Sequence, residues 1–151
     1  MLNIRALWRN TRDMPQLLGV FCQGAMVAPL ILAVALVLPL TTWTINDRQV
    51  DYTDLWTSGA GSTMLVLMLM ATAGAWGLAA RASWSRWVWV ATPVGPLLVA
   101  AAYPKTWFTA DATSDLSIWL SALFAAAIIF ACLFLTPSVR AYAAGRADSD
   151  I

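Results

Sequence analysis

The sequence contains no histidine, no glutamate, one lysine (Lys105) and two cysteines, Cys22 and Cys132. Each shortage excludes chemistry. Without His there is no Ser–His nucleophile and no His-ligated haem or zinc. The cysteines form no CxxC pair and lie in apolar sequence, so they predict neither a disulfide framework nor a metal site. Both read as small apolar residues within helices. Charge is scarce as well: 11% of residues are charged and 60% are hydrophobic, whereas a soluble domain carries about 25% charged residues. A chain of 151 residues with so few charges cannot cover a water-facing surface, so its apolar residues must face a bilayer. The net charge of +1 offers no basic face to nucleic acid. No cofactor is expected.

The apolar sequence falls into four charge-poor stretches, and a helix needs about 20 such residues to cross the hydrocarbon core. They predict an all-α integral membrane protein, a single four-helix transmembrane domain over residues 1–151, with spans near 16–40, 63–80, 87–103 and 116–136. The first stretch is longer than the 7–15 apolar residues of a cleaved signal, so it reads as a retained anchor. Residues 1–14 read as an amphipathic interfacial helix. Arg5, Arg9 and Arg12 share one face, while Leu2, Ile4, Leu7 and Trp8 supply apolar surface; docking on a cytoplasmic partner is the alternative use. Residues 143–151 read as a flexible tail.

Lys and Arg in short loops set orientation. Arg5, Arg9, Arg12, Arg81, Arg86, Arg140 and Arg146 fall on one side, and only Arg48 and Lys105 on the other. Both termini are therefore expected in the cytoplasm. Tryptophan favours the membrane–water boundary, and the indoles form two matching belts. Trp43, Trp56, Trp107 and Trp119 make the outer one, and Trp8, Trp76, Trp84, Trp87 and Trp89 the inner one.

Local signals sharpen the ends. Pro15 suits the start of the first helix. Ser62, after Gly59-Ala60-Gly61, can cap the second, and Ser114 or Asp115 the fourth. Pro137 ends the fourth. Small residues mark expected helix contacts, since close backbone approach favours pairing in lipid: Ala71, Gly74, Ala75 and Ala79 in the second span, Ala122 and Ala126 in the fourth.

The halves share a faint pattern, Pro29-Leu30-Ile31-Leu32 through Thr42-Trp43 to Thr53-Asp54, and Pro96-Leu97-Leu98-Val99 through Thr106-Trp107 to Ser114-Asp115. It is compatible with a parallel duplication of a helical hairpin, and membrane constraints alone also produce it. Pro29, Pro93 and Pro96 each remove a backbone donor inside a span and free a carbonyl, which must be satisfied by packing or by a wet cavity. They are therefore the candidate kink or cavity residues.

No Asp, Arg or Lys is expected at mid-membrane depth, where proton-coupled carriers keep an ionisable group. In size and span count the chain resembles small four-helix multidrug exporters, but it lacks their membrane-embedded Glu. It lacks equally the cysteine pairs of the quinone-linked membrane thiol oxidoreductases. Gln23, Thr72 and Thr92 are among the polar side chains within spans and read as interhelical hydrogen-bonders. The turn at residues 81–87 and the exit at 137–142 resemble those of many small bacterial membrane proteins.

The loop between the first two spans is the best candidate surface, because long loops tend to be functional or disordered. It holds Asp47, Arg48, Asp51, Tyr52, Asp54 and Trp56. The acids are too loosely spaced for a Ca²⁺ loop, so a protein contact through Tyr52 and Trp56 is the expectation beside a plain solvated loop. The resulting reading is a non-enzymatic protein of a bacterial inner membrane, in contact with membrane lipid, that binds a protein partner in the membrane or periplasm. It would be an accessory subunit of a membrane complex or an immunity protein against a membrane-active toxin. The alternative is a homo-oligomeric channel or transporter for a small solute. A lipid-acting enzyme ranks third, since the spans hold no carboxylate and five of the eight Asp lie in the outer loops.

Overall fold

The computed structural model describes residues 4–39, 42–45 and 47–144. Leu2 of the leader, Leu40 at the expected end of the first span and residues 145–151 of the expected tail lie outside the described residues. So do the side chains of Ile4, Arg5, Leu7, Arg48, Asp111 and Ser114. The chain is mostly helical. Among the described residues, three helices are long and apolar enough to cross a membrane. They are α2 (Gln16–Val37), α4 (Ala60–Ala79) and α8 (Leu116–Phe130), which runs on through a π-helical turn, Ala131–Leu135. At about 1.5 Å per residue, each spans about the 30 Å of a hydrocarbon core.

The remaining apolar stretch is two helices, α5 (Ser83–Ala91) and α6 (Gly95–Ala102). Proline causes the break. Pro93 has no N–H, and a proline ring crowds the carbonyl four residues back. The connecting turn tightens accordingly, with Thr92 N–H donating to Trp89 O at 3.2 Å and Val94 N–H to Ala91 O at 3.1 Å. Pro96 then sits in the first turn of α6, where a missing donor costs nothing. Pro29, by contrast, lies within an unbroken α2.

Four short helices flank the apolar ones. The leader holds α1 (Ile4–Asn10) and a 3₁₀ turn at Thr11–Asp13. The connections hold α3 (Tyr52–Thr57) and α7 (Trp107–Ser114), and α9 (Pro137–Ala143) follows α8. Pro15 stands just before α2, and Pro137 opens α9 after Thr136 leaves the helical region. Asp115 caps α8, accepting from Ser117 N–H at 2.8 Å; this bond holds its carboxyl below the ordinary carboxylate value. Ser62 does not cap α4. Gly59 does, at φ +83, and the Ser62 hydroxyl instead meets Tyr103 Oη at 2.6 Å. A Cβ on Gly59 would lie 2.8 Å from the Tyr103 ring, so that position is held to glycine twice over.

α4 is the central helix, packed on α2 along one side and on α5 and α6 along the other, while α8 leans mainly on α5. The two halves are thus built differently. α2 and α4 pack as two continuous helices, but α8 stands beside a broken one and buries little: Leu133 is buried, whereas Leu116, Leu120, Leu123, Phe124 and Leu135 are exposed. The described residues form two cores. One gathers Met14, Cys22, Met26, Leu78, Trp89 and Tyr142. The other gathers Leu36, Ile45, Val50, Leu55 and Ala60, with Trp56 and Trp107 packed against them. Trp89 is therefore a core residue, and the half-buried Trp76 packs against that core with its Nε1 donating to Met26 O at 3.3 Å. Trp8, Trp84 and Trp87 remain exposed.

Candidate functional site

The expected outer loop is a folded cap. Trp43–Ile45 and Arg48–Val50 form a two-stranded antiparallel hairpin with Thr44 opposite Gln49. Alternation does the sorting: Ile45 and Val50 are buried, Thr44 and Gln49 exposed. Asp47 takes φ +60 in the turn, a conformation Asp tolerates better than most residues. Asp51 then caps α3, its Oδ1 accepting from Asp54 N–H at 2.6 Å. Tyr52 Oη donates to Val37 O at 2.7 Å, fastening the cap to the end of α2.

A second segment completes the cap from far along the chain. Trp107 Nε1 donates to Asp54 Oδ1 at 3.3 Å. Thr106 Oγ1 donates to Ser58 O at 2.8 Å, and Thr106 with Thr109 closes a reciprocal capping box at the start of α7. Of the six expected surface residues, Asp54 and Trp56 are thus half-buried and turned to structural use. Asp47, Asp51 and Tyr52 stay exposed. The hairpin had a partial signal, the turn residues Asn46-Asp47 between Thr44-Ile45 and Arg48-Gln49-Val50; the Thr106 box had none beyond its own hydroxyls.

The opposite end of the bundle is tied by a clasp of three segments. Asn10 Nδ2 donates to Ala79 O at 2.9 Å, and Gln23 Nε2 donates to Thr11 Oγ1 at 2.8 Å. Tyr142 Oη reaches Leu78 O at 3.2 Å. Arg81 joins the pieces, 3.7 Å from Asp13 and 4.9 Å above the Tyr142 ring. Burial raises the Tyr142 phenol above its ordinary value, with Arg81 pulling the other way, so the phenol stays neutral at physiological pH.

Arg81 occupies a position that normally takes glycine. Its φ is +56. Ala82 N–H bonds Gly77 O at 2.8 Å and Arg81 N–H bonds Leu78 O at 2.9 Å, the Schellman ending of a helix. A left-handed non-glycine residue costs roughly 1–2 kcal/mol, which the guanidinium contacts offset. Arg81→Ala should therefore be the least stable of wild type, Arg81→Gly and Arg81→Ala in mild detergent. Alanine keeps the strain and loses the contacts, whereas glycine loses the contacts and the strain together. Equal stability of the two variants would remove strain from this account.

The small residues of α4 sit in its core. Gly74, Ala75 and Ala79 are buried and Ala71 half-buried, with Ala75 O accepting from Cys22 Sγ at 3.2 Å. Ala122 and Ala126 lie half-buried on α8. Thr92 Oγ1 donates to Val88 O at 2.8 Å. Thr72 Oγ1 is buried without a partner among the described residues. Leaving a hydroxyl unpaired costs about 1–3 kcal/mol in water-soluble cores and less in lipid. Thr72→Val should then be neutral or stabilising by up to about 1 kcal/mol; a clear loss of stability would mean that Oγ1 does hold a partner.

Apolar grooves flank α4, among them a smaller one of about 350 Å³ along Leu30, Val34, Leu38 and Leu65 and two larger ones. One, of about 450 Å³, is bounded by Pro29, Leu67, Trp89 and Thr92. It reaches the proline of α2 and the break before α6, and its wall is almost entirely carbon. The other, of about 540 Å³, runs along Leu69, Ala73, Gly77 and Ala80 to Trp84. No group of His, Cys, Asp or Glu that could hold a metal ion occurs among the described residues. No protein-family model, curated protein or solved structure matches the chain.

Proposed function

We propose that the chain is a four-crossing, non-enzymatic protein of a bacterial inner membrane, with both termini cytoplasmic, that works by binding another protein through its outer cap. The folded cap carries this reading. A solvated connection needs no tertiary ties, yet this one is fastened at Val37, Ser58 and Asp54. It holds Asp47, Asp51 and Tyr52 outward on a fixed frame, as a docking surface requires.

The topology is supported by which charged segments meet. The leader, the Arg81 turn and α9 converge at one end, and residues 51–62 meet 103–109 at the other. With α5 and α6 together making the third crossing, that arrangement returns the chain to its starting side, in agreement with the Arg distribution. An accessory subunit of a membrane complex and an immunity protein against a membrane-active toxin both use such a surface. The rival, an oligomeric channel or transporter, draws on the broken third crossing. The carbon-lined groove at Pro29 and Thr92 argues against a polar path there.

The test is purification of the tagged chain from its native membrane in mild detergent, with mass spectrometry of what accompanies it. A stoichiometric partner, bound more weakly after Asp47→Asn, which removes the exposed charge and tolerates the φ of +60, is the expected result. A clean homo-oligomer that passes solute in liposomes would overturn the binding reading.

A further inference from the structure

The groove from Leu69 to Trp84 is a carbon-lined hollow with a floor and walls, larger than the groove at Pro29 and Thr92. Ala73, Gly77 and Ala80 recur on one face of α4 and form the floor; Leu30 and Leu69 stand at the sides, and Trp84 closes one end. The wall is carbon throughout. The floor is exposed at Ala73 and Ala80, so the groove opens sideways.

Its length is informative. From Leu69 to Ala80 the helix rises about 16 Å at 1.5 Å per residue, and half of a hydrocarbon core is about 15 Å. This stretch is one leaflet deep, and at Leu30 and Leu69 it meets a smaller carbon-lined groove of about 350 Å³ that runs on toward Leu38 and Leu65. Its other end is at an exposed indole, the side chain that marks the membrane–water boundary, and next to the turn that carries Arg81. Charge at this end is one-sided. Among the described residues Arg9, Arg12, Arg81, Arg86 and Arg140 gather there against Asp13 alone. Only Arg81 is paired with that acid, and Arg86 lies over the Phe134 ring at 4.8 Å. Basic surfaces beside membrane helices attract anionic headgroups.

We infer that this groove seats one acyl chain of an anionic phospholipid from the leaflet at the Trp84 end, with the headgroup drawn to the arginines of that end. The inference rests on the membrane reading of the chain and on no partner protein. A straight hydrocarbon chain fits a channel that offers no hydrogen-bonding group. A volume of about 540 Å³ lies within the roughly 300–1,000 Å³ of ordinary small-molecule sites.

The experiment reconstitutes the full chain into phosphatidylcholine vesicles containing a little phosphatidylglycerol whose acyl tail carries a photoreactive diazirine, then maps the labelled residues. Labelling should concentrate at Leu69, Ala73 and Trp76, several-fold above the exposed positions Ile31 and Leu120. Ala73→Phe fills the groove from an exposed position and should cut that labelling several-fold while leaving Ile31 unchanged. Even labelling of all lipid-facing residues would overturn the proposal. So would equal labelling by a phosphatidylcholine probe, or copy-to-copy cross-links at Ala73 that put a second chain in the groove. Failure of the chain to enter vesicles at all would instead defeat the membrane reading.

Discussion

Gly77→Ala lowers stability by about 1–3 kcal/mol, the cost of overpacking a close contact. A Cβ at this position would lie 2.5 Å from Ser85 Cβ and 2.8 Å from the Trp84 ring. Ser85 Cβ cannot rotate away, because it is fixed by its own backbone, so α4 and α5 must separate. Helix propensity works in the opposite direction, since alanine is favoured over glycine inside a helix by roughly 0.5–1 kcal/mol. Gly24→Ala isolates that opposing effect: nothing lies within 4 Å of its Cβ position, and the substitution should stabilise by that amount. Reversible unfolding in mixed detergent micelles measures both. A loss at Gly77 with a gain at Gly24 assigns the difference to helix contact; losses at both would point to backbone effects of another kind.

Leu55→Ala should loosen the cap by about 2–5 kcal/mol, as expected for truncating a fully buried leucine. Leu55 and Leu36 are each 0% exposed and join the hairpin, α3 and the end of α2 in one core. The consequence is local. Hydrogen exchange at the hairpin amides of residues 43–50 should quicken by orders of magnitude, while the clasp between Asn10, Arg81 and Tyr142 keeps its protection. Partner capture should fall with the cap. Protection lost equally at both ends would mean that the two cores unfold as one unit, and that the cap is not a separable surface.

The parts legible in the sequence act locally. Charge-free stretches mark apolar helices because lipid tolerates nothing else there. Pro15, Asp115 and Pro137 act at their own positions through missing donors or a capping oxygen. Pro93 breaks the third stretch for the same reason. What was not legible depends on contacts between distant residues. The cap joins Ser58 to Thr106, 48 residues apart, and Asp54 to Trp107, 53 apart, so a stretch that reads as loop becomes a fixed surface. Ser62 looked like a helix cap until Tyr103 claimed its hydroxyl. Arg81 read as one more cytoplasmic charge, yet it holds a strained turn through two other segments. Trp89 read as a belt residue, but Gly74 leaves room beneath it, with its Cβ position 2.8 Å from Trp89 Nε1, and the indole belongs to the core.

The most direct test of partner binding through the outer cap places a photo-cross-linking amino acid at Asp47, and separately at Tyr52 and at Leu120, in cells that make the protein at its native level. The account predicts one heterologous protein adduct from Asp47 and Tyr52 and none from the lipid-facing Leu120. Adducts only to a second copy of the chain, or the same adducts from Leu120 as from the cap, would contradict it.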